Sequence, residues 1–132
     1  MIKTDILIIG AGPVGLFTVF EAGLLKMKCH LIDVLPKAGG QCIELYPKKP
    51  IYDIPAHPEI LAGDLIDKLI KQSSQFKPGF TFGEKAEKLE KNKDGTFTVT
   101  TDKGTKHNAP VVAIAGGLGG FQPRKPNFDG KK

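Results

Sequence analysis

A run of four apolar residues, Ile6-Leu7-Ile8-Ile9, ends directly on Gly10-Ala11-Gly12-Pro13-Val14-Gly15. No other feature restricts the fold of this chain as strongly. An unalternating apolar run suits a strand buried on both faces, as in a parallel sheet. Pro13 suits the first turn of a helix, where its missing N–H is no loss. The following residues through Lys26 are apolar enough for a helix packed on a sheet, and Cys29-His30-Leu31-Ile32 reads as a second strand stopping at Asp33. The glycines therefore form G-x-G-x-x-G on a strand-to-helix turn, inside a β-α-β unit over residues 4–33. Gly10 allows the tight turn, Gly12 lets the backbone approach a pyrophosphate, and Gly15 lets helix and strand pack closely. Helix N-terminal amides and the helix dipole can hold phosphates without a lysine. Asp33 follows Gly15 after 17 intervening residues, where a carboxylate would bind a ribose hydroxyl. A plain glycine-rich turn with an ordinary strand-end Asp is the alternative. The sequence context favours a dinucleotide site.

The length of 132 residues gives room for one domain with a sizeable core and no more. Of the 16 glycines, many cluster at this turn, at Gly39-Gly40 and at Gly116-Gly117-Leu118-Gly119-Gly120, which marks special turns rather than low complexity. No apolar stretch reaches the roughly 18 residues of a membrane span, and Met1-Ile2-Lys3-Thr4-Asp5 is unlike a secretory signal. Net charge is +5, from 19 Lys+Arg against 14 Asp+Glu. The cations are dispersed, nearly all are lysine, and no arginine-rich or aromatic-interleaved stretch suggests nucleic acid. A solvated lysine surface accounts for them, with steering of an acidic partner as the sharper alternative. Cys29 and Cys42 form neither a C-x-x-C pair nor a His cluster, so no metal site and a reducing cytoplasm are expected. His30, His57 and His107 show no ligand or triad pattern.

Beyond Asp33, residues 34–58 carry Pro36, Pro47, Pro50, Pro55, the Gly39-Gly40 pair and two tyrosines. A connection this long is usually functional. Ile60, Leu61, Leu65, Ile66, Leu69 and Ile70 recur with helical spacing, predicting an amphipathic helix over 58–76. Turn signals at Lys93-Asp94-Gly95 and Asp102-Lys103-Gly104 surround the alternating Thr96-Phe97-Thr98-Val99-Thr100. Together with Phe80-Thr81-Phe82 they predict a small antiparallel meander over 80–108, followed by a return strand over 110–115. Residues 127–132 form a polar tail. The expected fold is α/β: a Rossmann-like parallel sheet plus a meander. NAD and FAD share the fingerprint, and the loop alone does not separate them. A meander inserted before a glycine-ended strand is the layout of disulfide-reductase-type FAD domains, whereas a pure NAD domain would continue with further β-α units.

The segments Ile8 to Leu16, Gly39-Gly40-Gln41-Cys42, Leu45-Tyr46-Pro47, Lys49, Ile51-Tyr52-Asp53-Ile54-Pro55 and Gly120-Phe121-Gln122-Pro123-Arg124 together resemble the thioredoxin-reductase-like ferredoxin/flavodoxin–NADP+ reductases. The likeness runs from residue 4 to about 126. It implies an FAD-binding domain over 1–126, hydride transfer from NADPH to FAD, single-electron transfer to ferredoxin or flavodoxin, and a homodimer. It also implies residue roles. Gly10, Gly12, Pro13, Val14, Gly15 and Gly40 line the cofactor loops, and Asp33 binds the adenosine ribose. Gln41 contacts the flavin half, Tyr46 stacks on the isoalloxazine, Ala86 touches adenine through its backbone, and Phe121 lies beside the cofactor. Plainer readings stay open: Tyr46 as a core tyrosine, Gln41 as a turn cap, Phe121 as packing, Cys42 as a small buried residue. No catalytic acid, base or nucleophile is expected. The family's subunits are longer and carry a second glycine loop for NADPH, which is absent here. The chain is thus expected to be the N-terminal piece of a reductase, with a non-catalytic FAD- or ADP-binding module as the alternative. A flavin-monooxygenase fragment is disfavoured by the Leu-Tyr-Pro and Ile-Tyr-Asp-Ile segments.

Overall fold

In the computed structural model, which describes residues 1–119, the chain begins with a two-residue strand, Ile2–Lys3 (β1). The apolar run Ile6–Ile9 (β2) then lies inside a parallel sheet. Pro13–Leu24 (α1) crosses back to Cys29–Asp33 (β3), which pairs with β2 in parallel from Ile6↔Cys29 to Ile9↔Ile32. The long connection holds a one-turn helix, Gln41–Glu44 (α2), and a strand, Pro50–Ile51 (β4), that pairs antiparallel with Ile60–Leu61 (β5). Next come Ala62–Ser74 (α3) and Gly79–Phe82 (β6). Ala86–Lys91 (β7), Phe97–Thr101 (β8) and Lys106–Ala109 (β9) make the meander, and Val111–Ile114 (β10) returns beside β2.

The parallel sheet has the order β10-β2-β3-β6, and a second sheet has the order β1-β9-β8-β7. Side chains alternate across the parallel strands and so divide two cores. Ile6, Ile8, Cys29 and Leu31 pack with Val19 and Ala22 of α1. Leu7 and Ile32, on the opposite face, pack with Val99 and Ala109 of the meander. The molecule is therefore a stack of helices, parallel sheet and meander. Leu16, Cys42, Ala62 and Ile66 join the three helices in a third cluster. Each fully buried Leu, Ile or Val in these layers contributes roughly 1.5–3 kcal/mol relative to exposure.

Two sequence expectations change. Phe80-Thr81-Phe82 does not belong to the meander: β6 pairs in parallel with β3, from His30↔Gly79 to Asp33↔Phe82. The crossover through α3 delivers it to the open edge of β3, while the turns at 93–95 and 102–104 bracket β7, β8 and β9 alone. The fourth strand of the second sheet is instead β1, parallel to β9. The helix expected from residue 58 starts at Ala62, because Ile60–Leu61 is extended against β4. Its first amides are satisfied by the loop: Ala62 N–H donates to the Lys49 carbonyl at 2.9 Å and Gly63 N–H to that of Pro47 at 2.7 Å.

Candidate dinucleotide site

The C-terminal ends of β2, β3 and β10, with the start of α1, form one rim of the molecule. Gly10 leaves β2 with φ +111°, and a Cβ there would run into the Ala115 carbonyl just past β10. Any other residue would be strained twice, by conformation and by contact. Gly12 is the N-cap of α1 in extended conformation, φ −78° and ψ −167°, and Pro13 is the first helical residue. The first helical hydrogen bond runs from Leu16 N–H to the Gly12 carbonyl at 3.0 Å. The N–H groups of Val14 and Gly15 thus have no partner within the helix, and they sit at the positive end of its dipole. A Cβ on Gly15 would strike the Gly10 carbonyl oxygen, so this glycine is what permits the close packing of turn and helix.

Asp33 lies at the end of β3, and its carboxylate is built into the turn. Oδ2 accepts from Ala11 N–H at 2.7 Å and Oδ1 from Leu35 N–H at 2.9 Å. A carboxylate offers about four acceptor positions, so two bonds leave room for the hydroxyls of a ribose. The same end is closed by Gly83 N–H to the Leu35 carbonyl at 3.1 Å and Glu84 N–H to the Asp33 carbonyl at 3.3 Å. These two bonds bring the segment leading to Ala86 against Asp33. Ala86 itself opens β7 and packs on the Leu7–Ile32–Val99–Ala109 cluster.

The loop after β3 comes back to the glycine turn. Gly39 N–H donates to the Ala11 carbonyl at 2.9 Å. Gly40 has φ +59°, and a Cβ there would stand 3.2 Å from the Gly12 Cα. At Gly12 a Cβ would meet nothing nearer than the Gly40 Cα at 4.0 Å. Two stretches of bare backbone therefore lie against each other at close to van der Waals distance, with no side chain on either. Gln41 follows at the start of α2, half-buried. Tyr46 packs on the Leu16–Cys42–Ala62–Ile66 cluster, with Lys49 Nζ 5.3 Å from its ring centroid, within reach of a cation–π contact. Burial and then the neighbouring Cys42 raise the Tyr46 hydroxyl above its usual pKa, and burial raises the Cys42 thiol.

The structure thus brings Gly10, Gly12, Pro13, Val14, Gly15, Asp33, Gly40 and Gln41 to one rim. Tyr46 stands beside them on the helix layer, and Ala86 is tied to Asp33 through Gly83 and Glu84. Phe121 lies outside the described residues. Gly39, Ala11 and Leu35 were missed as site residues, because they act through backbone atoms. Only the paired glycines gave a signal for Gly39. Chemically, the rim offers amides for an anion and a carboxylate for a diol, and among the described residues it contains no nucleophile–base pair. Among the described residues there is no cluster of three His, Cys, Asp or Glu that could hold a metal, and no helix is long and apolar enough to cross a membrane.

No family model matches the chain. Over 126 residues, 96% of its length, it is 77% identical to ferredoxin–NADP reductase 2 of Christiangramia forsetii and 73% identical to the ferredoxin–NADP reductase of Flavobacterium johnsoniae. It is similar in sequence to part of the ferredoxin–NADP reductases. A more distant reductase, from Mesorhizobium japonicum, is 59% identical over 130 residues. The chain spans little more than a third of these reductases, 36% of the first two and 38% of the third. Among solved structures, thioredoxin reductase from Lactococcus lactis superposes with a TM-score of 0.75 at 21% identity, covering 97% of this chain and 39% of that one. A steroid monooxygenase superposes at 0.70 with 17% identity, covering 87% and 26%. At these identities the superpositions establish the fold alone: the reductase-like chain has the Rossmann-like architecture with an inserted meander.

Proposed function

We propose that this chain is the FAD-binding part of a ferredoxin/flavodoxin–NADP+ reductase. The observation that carries the reading is the side-chain-free backbone of Gly12, packed against Gly40, at the start of α1 and beside Asp33. It fits a pyrophosphate, which needs bare backbone and free amides, and the neighbouring carboxylate fits an adenosine ribose. The high identity to reductases over nearly the whole chain supports the choice of FAD over NAD.

In this reading the Val14 and Gly15 amides hold the pyrophosphate and Asp33 accepts hydrogen bonds from the ribose. The backbone at Ala86 borders the adenine. Gln41 and Tyr46 lie on the flavin side, with Phe121 assigned there by resemblance. FAD, when bound, supplies the redox chemistry, taking a hydride from NADPH and releasing single electrons to ferredoxin or flavodoxin. The residues of this chain bind and orient it, and none has to move a proton. A cytoplasmic setting and a homodimer belong to the same reading.

One observation favours a narrower alternative. The chain has one G-x-G-x-x-G loop, which also fits a non-catalytic FAD- or ADP-binding module. Absorption spectroscopy separates the two. FAD-loaded chain whose flavin bands bleach on anaerobic addition of NADPH excludes the module. Bands that persist with this chain, yet bleach with a polypeptide of the relatives' full length, place it as the FAD-binding part. Failure of the chain to take up FAD at micromolar concentration contradicts the FAD-binding reading, and failure to take up either FAD or ADP contradicts the module as well.

A further inference from the structure

His30 on β3, Thr81 on β6 and His107 on β9 form a hydrogen-bonded chain through the layer between the two sheets. Thr81 Oγ1 lies 2.7 Å from His30 Nε2 and 2.9 Å from His107 Nε2. The ring centroids are 5.1 Å apart. Thr81 and His107 are buried, with His107 wholly out of solvent, and His30 is half-buried. We propose that His30, Thr81 and His107 are a pH-sensitive latch. It fastens the meander to the parallel sheet while both rings are neutral, and it loosens on acidification.

The argument starts from the single proton of a hydroxyl. Both Nε2 atoms cannot accept one proton, and if both donated, the buried Thr81 O–H would lack an acceptor, so one Nε2 accepts from Thr81 and the other donates to it. His107 is the donor, because its buried Nδ1 has no partner at hydrogen-bond geometry among the described residues; the nearby Val99 backbone favours a charged ring without pairing an N–H there at that geometry. His30 is the acceptor, with its proton on Nδ1. The arrangement is closely fitted, since a Cβ on Gly79 of β6 would run into the His30 ring. An added proton has no good place. On His107 it would go to the unpartnered Nδ1. On His30 it would go to Nε2 and displace the Thr81 O–H from its acceptor, which opens the chain.

The surroundings act in the same direction overall. For His30, burial and then the charge of a protonated His107 lower the pKa from 6.5 to about 4. For His107, burial lowers it, while the Val99 backbone of β8 and the Glu84 carboxylate after β6 oppose the shift. Glu84 is itself kept below its usual pKa by the Thr101 and Thr105 hydroxyls at 2.6 and 2.7 Å, and among the described residues it is the carboxylate whose charge acts on His107. β1 sets Ile2 in register with His107, and α1 covers the opposite face of β3, on Cys29 and Leu31. Because the folded pKa is lowered, the unfolded chain binds more protons below 6.5. Stability is complete above pH 6.5 and falls as the pH drops from 6.5 toward about 4.

Side-chain nitrogen NMR on the full chain tests the latch without substitution. His30 is expected to be neutral at pH 5.5, and in the neutral pair His107 carries its proton on Nε2 and His30 on Nδ1. Either ring titrating near 6.5, or the same tautomer in both, overturns the proposal. Denaturation gives a second readout. Going from pH 7.5 to pH 5 should raise the unfolding constant on the order of tenfold more in the wild type than in His30→Gln, which cannot titrate. An equal pH response in the two proteins also overturns it. If His30→Gln does not fold, the same comparison is made with His30→Asn, and the NMR result stands independently.

Discussion

Two glycines three residues apart in one turn do opposite things for the fold, and the difference is testable. Gly12 has an ordinary backbone conformation, and a Cβ there would make only ordinary van der Waals contact with Gly40, whereas a Cβ on Gly15 meets the Gly10 carbonyl. Gly12→Ala should leave unfolding free energy within about 0.5 kcal/mol of wild type while weakening FAD binding by at least tenfold, read by flavin titration. Gly15→Ala should lower stability by about 1–3 kcal/mol from overpacking, measured by denaturant unfolding. Asp33→Ala should do both, because it removes the ribose acceptor and leaves the Ala11 and Leu35 amides without their partner. A loss of about 1–3 kcal/mol is expected for amides so orphaned. The roles of Gly12, Gly15 and Asp33 were legible because each depends on residue type at a fixed offset within one β-α-β unit. The tie from Gly39 to Ala11 and the Glu84 amide on the Asp33 carbonyl were not. Backbone partners carry no sequence signature, and these join segments distant along the chain.

At the scale of elements, the long periodic or turn-bracketed pieces could be read from sequence and the short ones could not. β2, α1 and β3 follow from an unbroken apolar run, a proline at the first helical turn and a second apolar run. β8 follows from alternation between two glycine turns. β1, β4 and β5 have two residues each, too few to show a period, and they exist because a neighbouring strand supplies partners. Phe80-Thr81-Phe82 alternates like an antiparallel strand, and only the crossover through α3 determines that it pairs with β3. Pairing of this kind is a tertiary choice. Leu7 is a direct test of the layering, since it is buried on the meander face with Val99. Leu7→Ala should cost about 2–5 kcal/mol in chemical denaturation. Leu89 on the outer meander strand is 54% exposed, and Leu89→Ala should change stability by no more than about 0.5 kcal/mol.

The whole molecule has an apolar rim around its proposed site. Val14 and Phe17 at the start of α1 are 69% and 45% exposed, and Ile114 at the end of β10 and Leu118 in the turn after it are 77% and 87% exposed. The parallel register of Ile114 with Ile9 puts both groups at the glycine-turn end. Patches of this kind mark surfaces that work in contact with something else. A polypeptide of the relatives' length should bind less of a hydrophobic dye per molecule than this chain and melt at a higher temperature; equal dye binding would mean that the rim is not covered. FAD titration of the wild-type chain and of Gly12→Ala, followed by the change in flavin absorption and fluorescence, tests the central claim most directly. The account predicts saturable uptake by the wild type and at least tenfold weaker uptake by the variant, with both proteins unfolding at the same temperature. No uptake by the wild type, or equal affinity in the two, would contradict it.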